Sequence, residues 1–485
     1  MPTLQSETCY RALTARDRRF DGLFFVGVAT TGIYCRPVCT AKTPRPERCT
    51  FYRTAAEAEQ AGFRACLLCR PELAPGGAPV DSVSRLAAAA LARIEAGVLN
   101  ESSLDTLAQE LGVTSRHLRR VMETELGVSP VELAQTRRLA LAKQLLQDTA
   151  LPLAEVAFAS GFQSVRRFNA LFQSRFGRPP SELRRGGREE QGTRALVLRL
   201  DYRPPLAWDT LLGFLQGRAL PGVEHVGDSE YRRTVRLGDK TGWLIVRRDA
   251  ERPALRAELS LSLAGVLMPV AARLRALFDL DAQPAVIEEC LARDELLARR
   301  VQATPGLRVP GAFDPFEMTV RAILGQQVSV RAATTLSGRL VARFGEPMES
   351  PHPELSRLFP RPETLAAASE DEVASLGLPG ARARTLLAVA RAIASGTVRL
   401  DRHADVSETL AALDALPGIG PWTAHYVAMR ALRWPDAFPA SDLGIRKALG
   451  GVTTKAAEAR SEAWRPWRTY AVMHLWNSLA SGAGG

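Results

Sequence analysis

Four cysteines place the strongest constraint on this sequence. They stand as Cys35-Arg-Pro-Val-Cys39 and, after a long loop, Cys66-Leu-Leu-Cys69, a Cys-x3-Cys-x26-Cys-x2-Cys spacing. Each short pair can make one edge of a tetrahedron, and the loop can bring the pairs together around Zn²⁺ held by four thiolates. Spacing alone favours a purely structural zinc knuckle. The region around it, to about residue 75, has few regular apolar repeats, as expected where a metal replaces part of a core. Cys9, Cys49 and Cys290 have no motif around them and read as free thiols.

The 485 residues are too many for one ordinary core and suggest about three or four domains. Net charge is +11, carried mostly by arginine in clusters. That favours a polyanionic partner, nucleic acid first. No signal peptide and no membrane-spanning apolar run is seen, so a reducing cytoplasm is expected, where paired cysteines more often mean metal than disulfide.

In chain order, Phe24 to Val28 has strand character, Ala55 to Ala61 reads as a short helix, and Pro71 to Pro79 as a linker. From about 82 to 186 the pattern is helical. Leu104, Leu107, Ala108, Leu111 and Val113 recur on one face, followed by Leu118 and Val121, with Gly112 at a turn and Thr114 or Ser115 able to cap the next helix. That is helix-turn-helix spacing, and it leaves Arg116, Arg119 and Arg120 available to DNA. A second copy runs from Leu153 through Gly161-Phe162 to Phe168, Phe172 and Phe176, with Arg166, Arg167 and Asn169 near the start of its second helix. One helix, about Pro130 to Gln147, joins the two. Residues 184–192 read as a flexible linker. Strands are then expected at 196–200, 231–237, 243–246 and 255–263, with a helix from Trp208 to Gly217, and helices dominate beyond about 280.

Three stretches carry resemblances to known families. Thr30-Thr-Gly-Ile-Tyr-Cys-Arg-Pro-Val-Cys39 with Ala61-Gly-Phe-Arg-Ala-Cys-Leu-Leu-Cys-Arg-Pro71 resembles the zinc domain of Ada-type adaptive-response regulators. The resemblance implies that Cys35 accepts a methyl group irreversibly from a DNA methylphosphotriester, with Cys39, Cys66 and Cys69 as the remaining ligands. A thiolate held by zinc stays nucleophilic without a separate base. Four thiolates leave the site at roughly −2, so methylating one lowers its repulsion of DNA phosphate. Arg36, Lys42 and Arg45 lie close in sequence and are candidates to hold phosphates, each against the plain alternative of a solvated charge. The run from Gly161 to Ser181 resembles the second half of the AraC-type DNA-binding domain.

Leu416-Pro-Gly-Ile-Gly-Pro-Trp-Thr-Ala424 is a helix-hairpin-helix signature, in which Gly418 and Gly420 let backbone N–H groups approach a phosphate. Asp442 follows some twenty residues later and by itself reads as an N-cap. Residues 195–480 resemble the AlkA-type 3-methyladenine DNA glycosylases, on Trp208 to Phe214, Phe316 to Val330, the hairpin, and Trp464 to Trp476. The resemblance implies that Asp442 is essential for breaking the N-glycosidic bond, and that Phe214, Trp422, Tyr426 and Trp476 form an aromatic pocket for a flipped, cationic base. Relatives that form a Schiff base carry lysine where this chain has Trp422, so a monofunctional glycosylase is expected. The residue that fills the gap left by the flipped base corresponds to Gln327, polar where an apolar wedge is more familiar.

The sequence therefore predicts a multidomain, mainly α chain. Its parts are a small zinc-bound α+β domain (1–78), an all-α double helix-turn-helix domain (82–186), an α+β module (194–280) and an all-α helix-hairpin-helix glycosylase domain (281–485). The expected function joins alkylation sensor, transcription activator and base-excision repair enzyme. Its partners would be double-stranded DNA, alkylated and promoter, and RNA polymerase, with no membrane. Two alternatives stand beside it: a transcription factor with an inert C-terminal half, and a glycosylase whose zinc domain is only structural.

Overall fold

A computed structural model describes residues 5–76, 84–183, 195–400 and 406–482. The linker expected at 184–192 and the end of the one expected at 71–79 lie outside these residues. The chain forms two compact units, one from Met1–Arg203, Leu237–Gly242 and Asp249–Ala272, the other from Pro204–Arg236, Trp243–Arg248 and Arg273–Gly485. No helix among the described residues is long and apolar enough to cross a membrane.

The first unit begins with helix Ser6–Ala15 and a small four-stranded sheet. Phe25–Val28 pairs antiparallel with Ile33–Cys35 on one side and Cys49–Tyr52 on the other, and Ile33–Cys35 pairs parallel with Arg64–Ala65. A side chain at Gly27 would collide with the rings of Tyr52 and Phe63, so glycine lets those aromatics cover the strand. Cys35, Cys39 and Cys66 are part of this region's core, beside Leu13 and Val26. Helix Ala55–Gln60 is capped by Thr54.

The helical part follows the repeated pattern. Leu104–Glu110 and Ser115–Leu126, capped by Ser103 and Thr114, turn at Gly112, whose φ of 71° suits glycine. Leu153–Ala159 and Val165–Phe176 repeat the arrangement with a turn at Gly161 and a Ser164 cap. Met122, rather than Val121, enters the core with Leu118 and Leu126, since the four-residue step from Leu118 sets the inward face. Helix Pro130–Asp148 joins the pairs and starts in a capping box formed by Ser129 and Glu132. Strands Ala195–Asp201 and Ala254–Ser260 pair antiparallel in this unit. The strand expected to reach 263 stops at Ser260. Leu261-Ser-Leu-Ala-Gly-Val266 winds into a 3-10 turn that exposes Leu261 and buries Leu263, in a stretch where β-branching is confined to Val266.

In the second unit, helix Trp208–Gln216 precedes strands Glu224–Val226 and Glu230–Leu237, which pair antiparallel; the first of these strands carries too short a pattern to be read from sequence. The helices beyond make two apolar cores. One gathers Val320, Ile323, Leu340, Leu386, Leu413, Ala424 and Val427; the other gathers Leu291, Leu297, Ala428, Met429, Ile445, Trp464 and Leu475. Helix Pro421–Arg430 supplies side chains to both. Trp422, Tyr426 and Arg430, four residues apart, share the face that remains.

His474 lies 3% exposed in helix Arg468–Gly482. Burial lowers its pKa from an ordinary 6.5 to about 4. Between those values the unfolded chain binds the extra proton, so stability present above pH 6.5 is lost as pH falls. The full effect is about 3 kcal/mol, and replacing His474 by Gln is expected to flatten the acid limb of a urea-stability profile measured against pH.

Candidate active site and metal centre

Asp442 is the N-cap of helix Leu443–Ala448, and its Oδ1 accepts the Ile445 N–H at 2.9 Å. The bland reading of this aspartate is thus physically present. The side chain does more than cap. Trp422 Nε1 donates to Oδ2 at 2.9 Å and Trp476 Nε1 donates to Oδ1 at 3.0 Å, so three N–H groups from three elements fix the carboxylate. Gly444 keeps space open beside it: a Cβ there would lie 3.0 Å from Asp442 Oδ1 and against the Trp476 ring.

The carboxylate borders a cavity of about 390 Å³. Trp422, Tyr426 and Trp476 line it, with Trp422 and Tyr426 stacked at 5.2 Å and Tyr426 to Trp476 at 6.2 Å. Three arginines that sequence reasoning missed, Arg218, Arg321 and Arg430, line it too. Arg321 is held by Glu224 at 2.9 Å and Glu317 at 3.0 Å. Arg430 donates to Tyr426 Oη at 2.9 Å. Burial works against ionising the Tyr426 phenol, yet Arg430, Arg218 and Arg321 together bring its pKa below the ordinary value. The same burial lowers the pKa of Arg218 and of Arg430. The four-residue step from Tyr426 was the legible signal for Arg430.

Phe214 departs from expectation and is not among the residues lining the cavity. Its ring lies 3.8 Å from the Arg218 guanidinium carbon and 5.0 Å from that of Arg430, so it supports the two arginines by cation–π contact. Gln327 is exposed, on a loop between helices Pro315–Leu324 and Val330–Phe344, with a φ of 54°. The next residue on the loop, Val328, and Val330 lie on the cavity wall. Gln326 anchors the loop by donating to Gly418 O at 3.0 Å and Thr423 Oγ1 at 2.9 Å.

Gly418 sits in the hairpin with a φ of 82°, and a Cβ there would fall 2.0 Å from Thr385 Oγ1. Gly420 ends the hairpin as the N-cap of Pro421–Arg430. Gly418→Ala is expected to cost about 1–3 kcal/mol of stability or more, read by urea unfolding, and to weaken binding to undamaged duplex.

The four cysteine sulfurs of the first unit lie within 4.8 Å of one another. Tetrahedral zinc with bonds of about 2.3 Å asks for sulfur separations of about 3.8 Å, so the donor set fits after small adjustments. Hydrogen bonding to Cys39 and Cys66 drives the Cys35 thiol up, and Cys69 also rises; Cys39, helped first by Cys35, falls to about 7, and Cys66 is lowered much further. A dication is what would let all four ionise together.

Buried cations brace the cluster. Lys143, from helix Pro130–Asp148, donates to Cys66 O at 3.1 Å and pairs with Glu72 at 2.8 Å. Arg36 was expected to reach DNA, and the structure corrects this. Its guanidinium is buried between Asp21 and Asp201, with Nη1 2.8 Å from Asp201 and 3.2 Å from Cys69 O. Lys42 and Arg45 are exposed. In the helical part Arg116, Arg119, Arg120, Arg166, Arg167 and Asn169 are all exposed.

Four family descriptions match the chain: the metal binding domain of Ada over residues 8–72, a helix-turn-helix domain over 107–186, the AlkA N-terminal domain over 197–314, and the HhH-GPD superfamily base excision DNA repair protein over 320–469. A relative from Mycobacterium tuberculosis, named as a probable bifunctional transcriptional activator/DNA repair enzyme AlkA, is 42% identical over 482 residues, covering 98% of this chain and 96% of its own. DNA-3-methyladenine glycosylase 2 of Escherichia coli is 39% identical over 277 residues, covering 57% of this chain and 95% of its own. Among solved structures, a 3-methyladenine DNA glycosylase from Archaeoglobus fulgidus shares the fold with a TM-score of 0.52 at 22% identity, covering 57% of this chain and 97% of that one.

Proposed function

Since the chain belongs to the AlkA-type family of bifunctional transcriptional activators and DNA repair enzymes, we propose that it excises alkylated purines through Asp442 and records DNA methylation on Cys35. The observation that carries the enzymatic part is the Asp442 carboxylate, held by two indole N–H groups and a backbone N–H at the edge of an aromatic cavity.

The base must leave the helical stack to reach Asp442. A purine alkylated on nitrogen is already cationic, so its departure needs little acid help, and charge builds on the sugar instead. The carboxylate stabilises that charge, or orients the water that ends it. Trp422, Tyr426 and Trp476 offer π faces to the flipped base. The described residues lining the cavity include arginines and no lysine, and a guanidinium does not form a Schiff base. This supports hydrolysis without strand cleavage.

Zinc in the Cys35–Cys39–Cys66–Cys69 site keeps the thiolates deprotonated at neutral pH. Cys35 Sγ would form a bond to the methyl carbon of a methylphosphotriester while the carbon–oxygen bond breaks, and the phosphodiester leaves as an anion. Backbone N–H groups draw charge from its neighbours: Ala41 at Cys39, Cys69 at Cys66, and Arg36 at Cys69. Loss of one negative charge then favours DNA, which Lys42, Arg45 and the exposed arginines of the two helix-turn-helix units would grip. Activation would proceed through RNA polymerase, in the cytoplasm. Nothing in the chain suggests a route to remove the methyl, so transfer occurs once.

The test is release of free 3-methyladenine from alkylated duplex by the purified chain, with peptide mapping of Cys35 afterwards. No released base would leave a DNA-binding regulator; an unmodified Cys35 would leave a structural zinc domain.

A further inference from the structure

Arg36 follows Cys35 and touches the metal cluster in three ways. Its carbonyl accepts the Cys39 N–H at 3.1 Å, its own N–H donates to Cys69 Sγ at 3.4 Å, and its guanidinium donates to Cys69 O at 3.2 Å. It therefore links the first cysteine pair to the second. The guanidinium fork is aimed by two buried carboxylates, Asp21 at 2.8 Å from Nε and Asp201 at 2.8 Å from Nη1. Asp201 ends strand Ala195–Asp201, a segment that the sequence assigns to the glycosylase half. Arg203, two residues on and 1% exposed, donates to Asp21 O at 2.9 Å and Gly76 O at 2.6 Å, clamping the same junction.

We infer that Arg36 is a positioning residue of the thiolate–zinc site and that Asp201, from the strand that opens the glycosylase half, completes it. Arg36 holds the Cys69 carbonyl only while both carboxylates balance its buried charge; removing one leaves a cation partly uncompensated, and the fork loses its aim. By linkage, what zinc does for Arg36 it does for strand 195–201 and its partner 254–260: metal binding and strand order stabilise each other. This rests on the zinc assignment of the site and not on methyl transfer.

The test uses the full chain. Asp201→Asn preserves shape, and Arg36→Lys preserves charge while losing the fork. Zinc release to a chromogenic chelator is expected to be at least about tenfold faster in both, while each variant retains wild-type base release from alkylated duplex. In the unsubstituted chain, stripping zinc is expected to speed amide exchange in 195–201 and 254–260. Unchanged zinc release would overturn the inference. So would faster release accompanied by loss of base release, which would mark general unfolding. Should neither variant fold, the exchange measurement decides alone: strands indifferent to zinc contradict the link. A wild-type chain that holds zinc but never methylates Cys35 would sink the sensor reading and leave these outcomes intact.

Discussion

Asp442→Asn is expected to slow release of 3-methyladenine from alkylated duplex by at least about 100-fold, with duplex affinity nearly unchanged. Asparagine still offers one carbonyl oxygen, which can cap Ile445 as Oδ1 does now. Its NH2 group must then face the Trp422 indole N–H, where Asp442 Oδ2 now accepts. Two donors would oppose each other, at a cost of about 1–3 kcal/mol, so a small fall in melting temperature accompanies a large fall in rate. The separation is the point: the capping role survives substitution and the charge does not. Asp442→Ala is a poorer probe, since it removes the cap as well as the partner of both indoles. An Asn variant with wild-type turnover would show that the carboxylate only caps.

The second large effect concerns the metal. Stripping zinc, or Cys66→Ala, is expected to unfold much of residues 5–76 while leaving base release intact. Three of the four cysteines belong to that region's small core, and its sheet strands hold two to four residues each. A core of that size does not offset the entropy of ordering its loops, whereas a structural four-cysteine site supplies about 10–16 kcal/mol of apparent binding free energy. Circular dichroism during chelator titration, with zinc counted in parallel, reads the transition. Retention of zinc-free structure would mean that Lys143 on the Cys66 carbonyl and Arg70 on Asp148, at 2.8 Å, suffice to hold the region against helix Pro130–Asp148.

What the sequence made legible was local. The cysteine spacing brought four sulfurs together, and the period of Leu107, Leu118 and Phe168 led to buried faces. Asp442 stood at a cap signal as well as in a motif. Contacts spanning long separations were misread. Arg36 looked like a surface cation because its partners are 15 and 165 residues away. Phe214 looked like pocket wall because Arg430, far along the chain, joins the nearby Arg218 against its ring. Among the arginines of the cavity, Arg430 had a local signal in its four-residue step from Tyr426, whereas Arg321 takes one of its two carboxylates, Glu224, from 97 residues earlier.

One chain carrying two chemistries is the central claim, and methyl-labelled DNA tests it directly. Duplex bearing labelled methyl groups on both purines and phosphates is incubated with the chain, and label is followed into free base and into protein. The account predicts that free base accumulates over many turnovers while protein label rises once, to one methyl per chain, and maps to Cys35. Label confined to only one of the two fractions, or protein label on a residue other than Cys35, would contradict it.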